Sequence, residues 1–450
     1  MRAAEAASAA SEWELMQRAG RGCAEWIWRV AGGRAVTVLC GPGNNGGDGY
    51  VIAEVLRARG LDVRLVAPED PTTDTAARAR AAYRGPVAAE LGKRHAPVLV
   101  DALFGFGLTR PLSGSFAALL DKARERHDFL ISIDVPSGVE CNTGAWLGVP
   151  WRADLVLALG AWKRAHWLMP ASAAMGEKRL VDIGLDIRQR GERLSPRPEL
   201  SPPAADSHKY RRGLVAIVAG EMPGAPLLSA EAAMRAGAGY VKLLSDHSHP
   251  DAPAELVIEG ENLASALADK RIGALLIGPG LGRGDAARHR LAIALDAAKP
   301  AVIDADALHL LDPDALEGVD TASLLLTPHE GELAAVCKTF GVEAEGKVER
   351  ATALRDSIGA SVIAKGPDTV LAPVGGGLVF FPPASSWLST AGTGDVLAGI
   401  AASRLAHHVD PARAAEEAVR LHREAAQIAG PVFTAGELAR AVGAALARFL

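Results

Sequence analysis

The chain has 450 residues, 49% apolar and 22% charged, with a net charge of −5 from 48 Lys and Arg against 53 Asp and Glu. That length supports about two to four domains with more than one core, and the balanced, slightly acidic charge excludes a disordered chain and argues against nucleic acid as a partner. Cys23, Cys40, Cys141 and Cys337 lie far apart with no CxxC spacing, which argues against a disulfide framework or zinc site and points to a reducing, cytoplasmic compartment.

From the start of the chain, Met1 to Ala10 is alanine-rich, carries Glu5 and lacks a leucine-rich core. No run reaches about 18 apolar residues, so neither a signal peptide nor a spanning helix, and hence no membrane partner, is expected. Short runs rich in Val, Ile and Leu then alternate with longer alanine-rich helical stretches, the pattern of strands buried on both faces of a parallel sheet. In the first half these runs are Ala35 to Cys40, Val63 to Ala67, Val98 to Ala102, Phe129 to Ile133 and Leu155 to Leu159. In the second they include Leu214 to Val218, Tyr240 to Leu244, Ala274 to Ile277, Ala301 to Ile303, Leu324 to Leu326 and Val362 to Ala364. Between them, Arg188 to His208 holds Pro196, Pro198, Pro202 and Pro203 without apolar periodicity and reads as an extended linker. The expectation is two α/β domains, residues 1–190 and 208–450, joined by a linker at 191–207.

The first strand runs into Gly41-Pro-Gly-Asn-Asn-Gly-Gly-Asp-Gly49 and then a helical stretch. Such a glycine turn lets backbone N–H groups converge on an anion at a helix start, so phosphate is the expected guest. Gly41, Gly43 and Gly46 fit a GxGxxG spacing, with Asp70 where a ribose-binding acid would sit. A purely structural turn is the plain alternative, but Asn44, Asn45 and Asp48 crowd polar groups where such a turn needs only glycine. Two later strand ends carry Asp101-Ala-Leu-Phe-Gly-Phe-Gly-Leu-Thr-Arg-Pro111 and Asp134-Val-Pro-Ser-Gly138. A lone strand-end Asp is more often an Asx-turn or cap; two beside an anion cradle shift the balance toward a site.

These three segments, in this order and spacing, resemble the YjeF N-terminal family, whose enzymatic members are NAD(P)H-hydrate epimerases.

In the second half, Thr390-Ala-Gly-Thr-Gly-Asp395 opens an apolar helix. Glycines at that helix start expose N–H groups to a transferring phosphoryl group, and Asp395 is placed to take a proton from a hydroxyl. A helix-start charge serving the macrodipole is the bland alternative. No GxxxxGK[ST] sequence occurs, which excludes a P-loop enzyme. Leu275 to Gly282, Ile303 to Ala307, Leu326 to Glu332 and Ile363 to Thr369 again put glycine or polar residues after strands. His329 has no second ligand at metal spacing and reads as a substrate contact rather than a metal ligand.

With His208-Lys-Tyr-Arg-Arg-Gly213 and Gly237-Ala-Gly-Tyr-Val-Lys242, these segments resemble the YjeF C-terminal family of ribokinase-like fold, the ADP-dependent NAD(P)H-hydrate dehydratases. The two resemblances follow the order of the bifunctional bacterial NAD(P)H-hydrate repair family. They imply a Rossmann-like first domain that interconverts R and S hydrates of NAD(P)H, and a second that dehydrates the S form with ADP, releasing AMP and phosphate.

Residue by residue, the resemblance implies hydrate contacts at Asn44, Asn45, Gly46, Gly47, Asp48, Gly105, Phe106, Gly107, Leu108, Thr109, Arg110, Pro111 and Asp134, with Asp134 catalytic. It implies K⁺ on Asn45, Asp101 and Ser137, oxygen donors suited to a hard cation. In the second domain it implies Gly239, Gly282 and His329 on the hydrate, and Lys365, Gly366, Pro367, Asp368, Thr369 and Gly394 on ADP with Mg²⁺. Asp395 would be the base. Phe106 departs from the family's small hydroxylated residue, and Gly220-Glu221-Met222 from its more usual Gly-Gly-Ser. The competing reading is a ribokinase-like small-molecule kinase fused to a non-catalytic YjeF-type binding domain. A homo-oligomer is the expected assembly, with Trp13, Trp26 and Trp28 as candidate contacts or, as the plainer alternative, core residues.

Overall fold

The computed structural model describes residues 2–93, 96–112, 114–187, 191–247, 249–260 and 262–450. The chain divides into two compact units, Met1–Gln189 and Arg190–Leu450.

In the first unit, strands β1 (Val36–Cys40), β2 (Val63–Val66), β3 (Val87–Ala88), β4 (Val98–Ala102), β5 (Phe129–Ile133), β6 (Ala153–Leu159) and β7 (Met175–Val181) form one sheet. Its order is β3-β2-β1-β4-β5-β6-β7, and every pair is parallel. The apolar strands are continuous because both faces are covered. Val36, Val38 and Cys40 pack into one core with Cys23 and Ile27 of helix Glu12–Ala31, while Leu39 packs into another with Phe116 and Leu120. That helix begins at a Ser11–Glu14 capping box and ends at Gly32 in the left-handed conformation. The chain leaves β1 toward β2 and β3 on one side and returns as β4 on the other. A crevice at the carboxyl ends of β1 and β4 is therefore the topological switch point where ligands bind such sheets.

The second unit builds a ten-stranded sheet from β8 (Arg193–Leu194), β9 (Leu214–Val218), β10 (Tyr240–Leu244), β11 (Val257–Glu259), β12 (Ile272–Ile277), β13 (Ala301–Ile303), β14 (Leu324–Leu326), β15 (Ser361–Ala364), β16 (Val370–Ala372) and β17 (Val379–Phe380). The order is β11-β10-β9-β12-β13-β14-β15-β16-β17-β8, parallel from β11 to β15, with β16 antiparallel to both neighbours. Here the strand order reverses between β9 and β12. Alanines on helices Gly224–Arg235, Thr393–His408 and Pro411–Ala429 let these helices lie close together in the core.

The apolar runs read from the sequence are strands, with ends shifted by no more than two residues. The linker expectation is corrected. Within 191–207, Arg193 and Leu194 pair with β17, Leu200 is buried and its N–H bonds to the Phe449 carbonyl, so much of the segment belongs to the second unit. Prolines deny this stretch a helix but not an edge strand. Arg188, where the stretch begins, lies outside the described residues. Trp13 and Trp26 pack against the first core, and Trp28 is exposed beneath the Arg59 guanidinium. Among the described residues, no helix is long and apolar enough to cross a membrane.

Candidate active sites

At the first switch point, the glycine turn leads from β1 into helix Asn44–Ala58. A β-carbon on Gly41 would collide with the Leu103 carbonyl, and one on Gly46 with Gly41 itself, so glycine is required for the turn to fold this tightly. Gly43 caps the helix without a side-chain bond, which leaves its first N–H groups open to an anion. Asn44 is partly occupied elsewhere, as its Oδ1 accepts from Thr73 Oγ1 at 2.6 Å. Asn45 Nδ2 is buried and finds no hydrogen-bond partner among the described residues.

Asp101, at the end of β4, is a hub. Its Oδ1 accepts from Ser137 Oγ at 2.7 Å and Leu103 N at 3.2 Å, and its Oδ2 from Ser137 N at 2.9 Å. Burial outweighs these bonds and pushes its carboxyl up to about 6. Ser137 Oγ also accepts from Phe104 N at 3.0 Å, tying the loops after β4 and β5 together.

Asp134 follows β5 with a φ of +68°, a conformation costly for any residue but glycine or a locally bonded Asn or Asp. Its Oδ2 accepts from Phe106 N at 3.2 Å. A β-carbon on Gly105 would stand 3.2 Å from that Oδ2 and 3.0 Å from Asn45 Oδ1, so the missing side chain leaves a gap where the two polar groups converge. Asp48 is buried nearby, and burial followed by the Asp134 charge holds its carboxyl well above the usual range. Gly46, Gly47, Asp48, Gly105, Phe106 and Asp134 thus gather with Asn45, Asp101 and Ser137. Gly107, Thr109, Arg110 and Pro111 are exposed on the loop. Asp70 faces solvent at 87% exposure, 3.4 Å from Arg80, and is no part of the crevice.

Sequence reading missed Lys163 and His166. Lys163, four residues past β6, is buried, forms an ion pair with Asp134 Oδ1 and donates to the Leu159 carbonyl at 2.8 Å. His166 is fully buried against both. The available signal was a lysine close behind a buried strand, a position where a cation needs a partner.

The second site lies beyond the carboxyl ends of β13, β14 and β15. Each contributes the residue after its last: Asp304, Thr327 and Lys365. Asp304 Oδ1 accepts from Thr327 Oγ1 at 2.7 Å and Lys365 Nζ at 2.6 Å, with Glu332 Oε2 3.8 Å from the same ammonium. Burial works against the Lys365 charge, but Asp304 and Glu332 prevail and hold its pKa above the ordinary value. Gly394 stands over this ammonium, since its β-carbon would lie 3.5 Å from Lys365 Nζ. Beside it, Asp395 sits in the first turn of helix Thr393–His408. Burial, then the charges of Asp304 and Glu332, push its carboxyl up to about 7 against the opposing pull of Lys365.

The turn itself is braced. Thr393 Oγ1 donates to the Leu388 carbonyl at 2.7 Å, and buried His422, held down to about 4 by desolvation, bonds Thr393 O at 2.9 Å. Asp304, Thr327, Glu332 and His422 were not singled out from sequence, although the first three lie inside motifs that were.

Three expectations change. Gly239 does not join this site: it precedes β10, at the amino end of the parallel strands, where its N–H bonds Gly213 O and a β-carbon would strike the Lys209 carbonyl. Gly282 does reach the second switch point, with its N–H on Asp306 Oδ2 at 3.0 Å, but the Glu221 carboxylate covers the space where a side chain would project. His329 caps helix Glu330–Thr339, its Nδ1 accepting from Gly331 N at 3.0 Å and Glu332 N at 3.2 Å, so only the rest of a 61% exposed ring is left for a substrate. Among the nucleotide candidates, Asp368 is ion-paired with Lys347 and Thr369 Oγ1 donates to Gly366 O at 2.9 Å.

A family model described as YjeF-related protein N-terminus matches residues 12–165, and one described as NAD(P)H-hydrate dehydratase matches residues 215–446. The bifunctional NAD(P)H-hydrate repair enzyme of Mycobacterium tuberculosis (strain CDC 1551 / Oshkosh) is 33% identical over 433 residues, covering 92% of this chain and 89% of its own length. The Escherichia coli (strain K12) enzyme of the same name is 32% identical, covering 97% and 89%. A solved ribokinase-like superfamily protein from Enterococcus faecalis V583 aligns with 59% of this chain and 98% of its own at a TM-score of 0.51 and 22% identity, which shows the fold of the second unit.

Proposed function

The chain belongs to the bifunctional NAD(P)H-hydrate repair enzymes, and from that premise we propose how its two sites divide an epimerase and an ADP/ATP-dependent dehydratase activity. The observation that carries the division is that each unit has its own acidic centre beyond the carboxyl ends of its own parallel strands, Asp134 in one and Asp395 in the other.

In the first unit, inverting C6 of the hydrated pyridine ring requires a bond from C6 to oxygen or nitrogen to break and re-form, with a proton moved each time. Asp134 is the carboxyl group placed to move it, at the gap beside Gly105 and Asn45. The open helix start at Gly43 takes a phosphate of the dinucleotide. The donors expected for K⁺ fit that ion in kind: Asn45, Asp101 and Ser137 offer only oxygen, and the unpartnered Asn45 amide leaves its side chain free to turn an oxygen toward a cation. Bound there, K⁺ would offset the burial of Asp101 and stiffen the two loops.

In the second unit, hydroxide is a poor leaving group, so moving the β-phosphoryl of ADP onto the C6 hydroxyl converts it into phosphate. The ring nitrogen then expels phosphate to leave an iminium at C6, and loss of a proton from C5 closes the C5–C6 double bond, giving NAD(P)H, AMP and phosphate. Asp395 accepts the hydroxyl proton, a role suited to a carboxyl at about 7. The N–H groups of the Gly392–Gly394 turn and the Lys365 ammonium face the transferred group. Among the described residues, no three His, Cys, Asp or Glu side chains gather to hold a metal. Mg²⁺ would therefore ride on the nucleotide phosphates, as it commonly does.

The test is incubation of mixed R and S hydrates with the protein, Mg²⁺, K⁺ and ADP or ATP, following both epimers by chromatography. Recovery of NAD(P)H from both epimers is expected. A stable phosphorylated product would instead favour the kinase reading.

A further inference from the structure

We propose that Lys163 is a positioning residue of the epimerase site: it fixes one oxygen of Asp134 so that the other faces the substrate, and His166 holds both residues in place. The inference rests on the reading of Asp134 as the proton-handling group.

The two carboxylate oxygens of Asp134 have different surroundings. Oδ1 is the partner of the Lys163 ammonium and also accepts from Leu159 N at 3.3 Å. Oδ2 accepts from Phe106 N and borders the Gly105 gap beside Asn45. A carboxylate free to turn about its last torsion would exchange these two oxygens and spread its basic lone pair over several directions. A buried ammonium on Oδ1 stops that rotation, because turning away would leave a desolvated cation without its countercharge. Lys163 is itself held from behind by the Leu159 carbonyl and shielded by the Phe106 ring, 5.7 Å from its nitrogen.

His166 completes the clamp. Its Nε2 lies 2.8 Å from the Asp134 carbonyl, which can only accept, so Nε2 carries a proton. Burial holds the ring down to about 4, leaving it neutral, so Nδ1 is an acceptor and takes the Lys163 N–H at 2.8 Å. One imidazole thereby bonds the backbones of both members of the pair, 29 residues apart in sequence. The strained Asp134 backbone is fixed from two directions, since its own N–H donates to Leu157 O at 2.8 Å.

The experiment measures epimerisation without ADP in the full chain, comparing Asp134→Asn, Lys163→Met, Lys163→Arg and the double variant Asp134→Asn/Lys163→Met. Lys163→Met is expected to lower kcat by about 100-fold with KM changed less than about three-fold, and Lys163→Arg to restore at least about a tenth of wild-type kcat. The double variant removes both buried charges together and is the one best able to fold. It should be no slower than Asp134→Asn alone, because Lys163 acts through Asp134. Additive losses, or a Lys163→Met enzyme with near-normal kcat, would overturn the positioning role. A fully active Asp134→Asn enzyme would instead overturn the reading on which it rests.

Discussion

Both units bury a lysine–aspartate pair beyond the carboxyl ends of parallel strands, yet they use it in opposite ways. In the first, the paired carboxylate, Asp134, is the one proposed to act. In the second, the lysine, Lys365, is paired with Asp304, and the proposed base, Asp395, stands as an additional negative group beside the pair. The contrast is between a carboxylate held in direction by its cation and one raised in affinity for a proton by burial and then by neighbouring anions. Direction serves a group that must pass a proton to and from one place on the hydrated ring. A raised pKa serves a group that must accept a proton near neutrality.

The sharpest way to break this comparison is Asp395→Asn. Dehydration should fall about 10³-fold or more, with epimerisation within two-fold of wild type; a parallel loss of both activities in a folded protein would refute separate sites. Asp134→Asn should do the reverse, lowering epimerisation by about 10²-fold or more while the S hydrate is still dehydrated at the normal rate.

The raised pKa of Asp395 gives a subtler test. Its activity as a base requires the ionised form, so dehydratase kcat/KM should climb as pH rises through about 7 and then level off. Stability runs the other way. Between the ordinary carboxyl range and about 7, the folded chain holds a proton that the unfolded chain has released, so rising pH costs stability over that window. Asp395→Asn should therefore raise Tm most above pH 7 and leave it unchanged near pH 4, as read by thermal unfolding across pH. The smallest effect is expected from Glu221→Ser. Uncovering Gly282 should lower KM for the hydrate by about two- to five-fold and leave kcat alone, because it removes one negative charge from the lip of a cleft that binds an anionic dinucleotide.

The buried strands were legible because continuous Val, Ile and Leu runs have no other stable home. The rim was not. Strand β7, Met-Gly-Glu-Lys-Arg-Leu-Val, is exposed over most of its length and reads as polar because an edge strand is protected by its charges. Asp101 and Asp134 could be read because a polar residue closing an apolar run is a local signal, and Asp395 because it closes a glycine turn that opens an apolar helix. Lys163 and His166 could not, since their meaning lies in a partner brought close only by the sheet. Gly239 was misplaced for the complementary reason: a glycine before a strand and one after it look alike in sequence but lie on opposite rims of a parallel sheet.

The strand at Arg193 and Leu194 bears on any attempt to express the halves separately. A dehydratase fragment begun at residue 208 would lose it, leaving β17 as a bare rim, and would also lose the Arg193–Glu416 bridge and the seat of Leu200 against Phe449. Such a fragment should self-associate through that rim, whereas one begun at residue 191 keeps its own border.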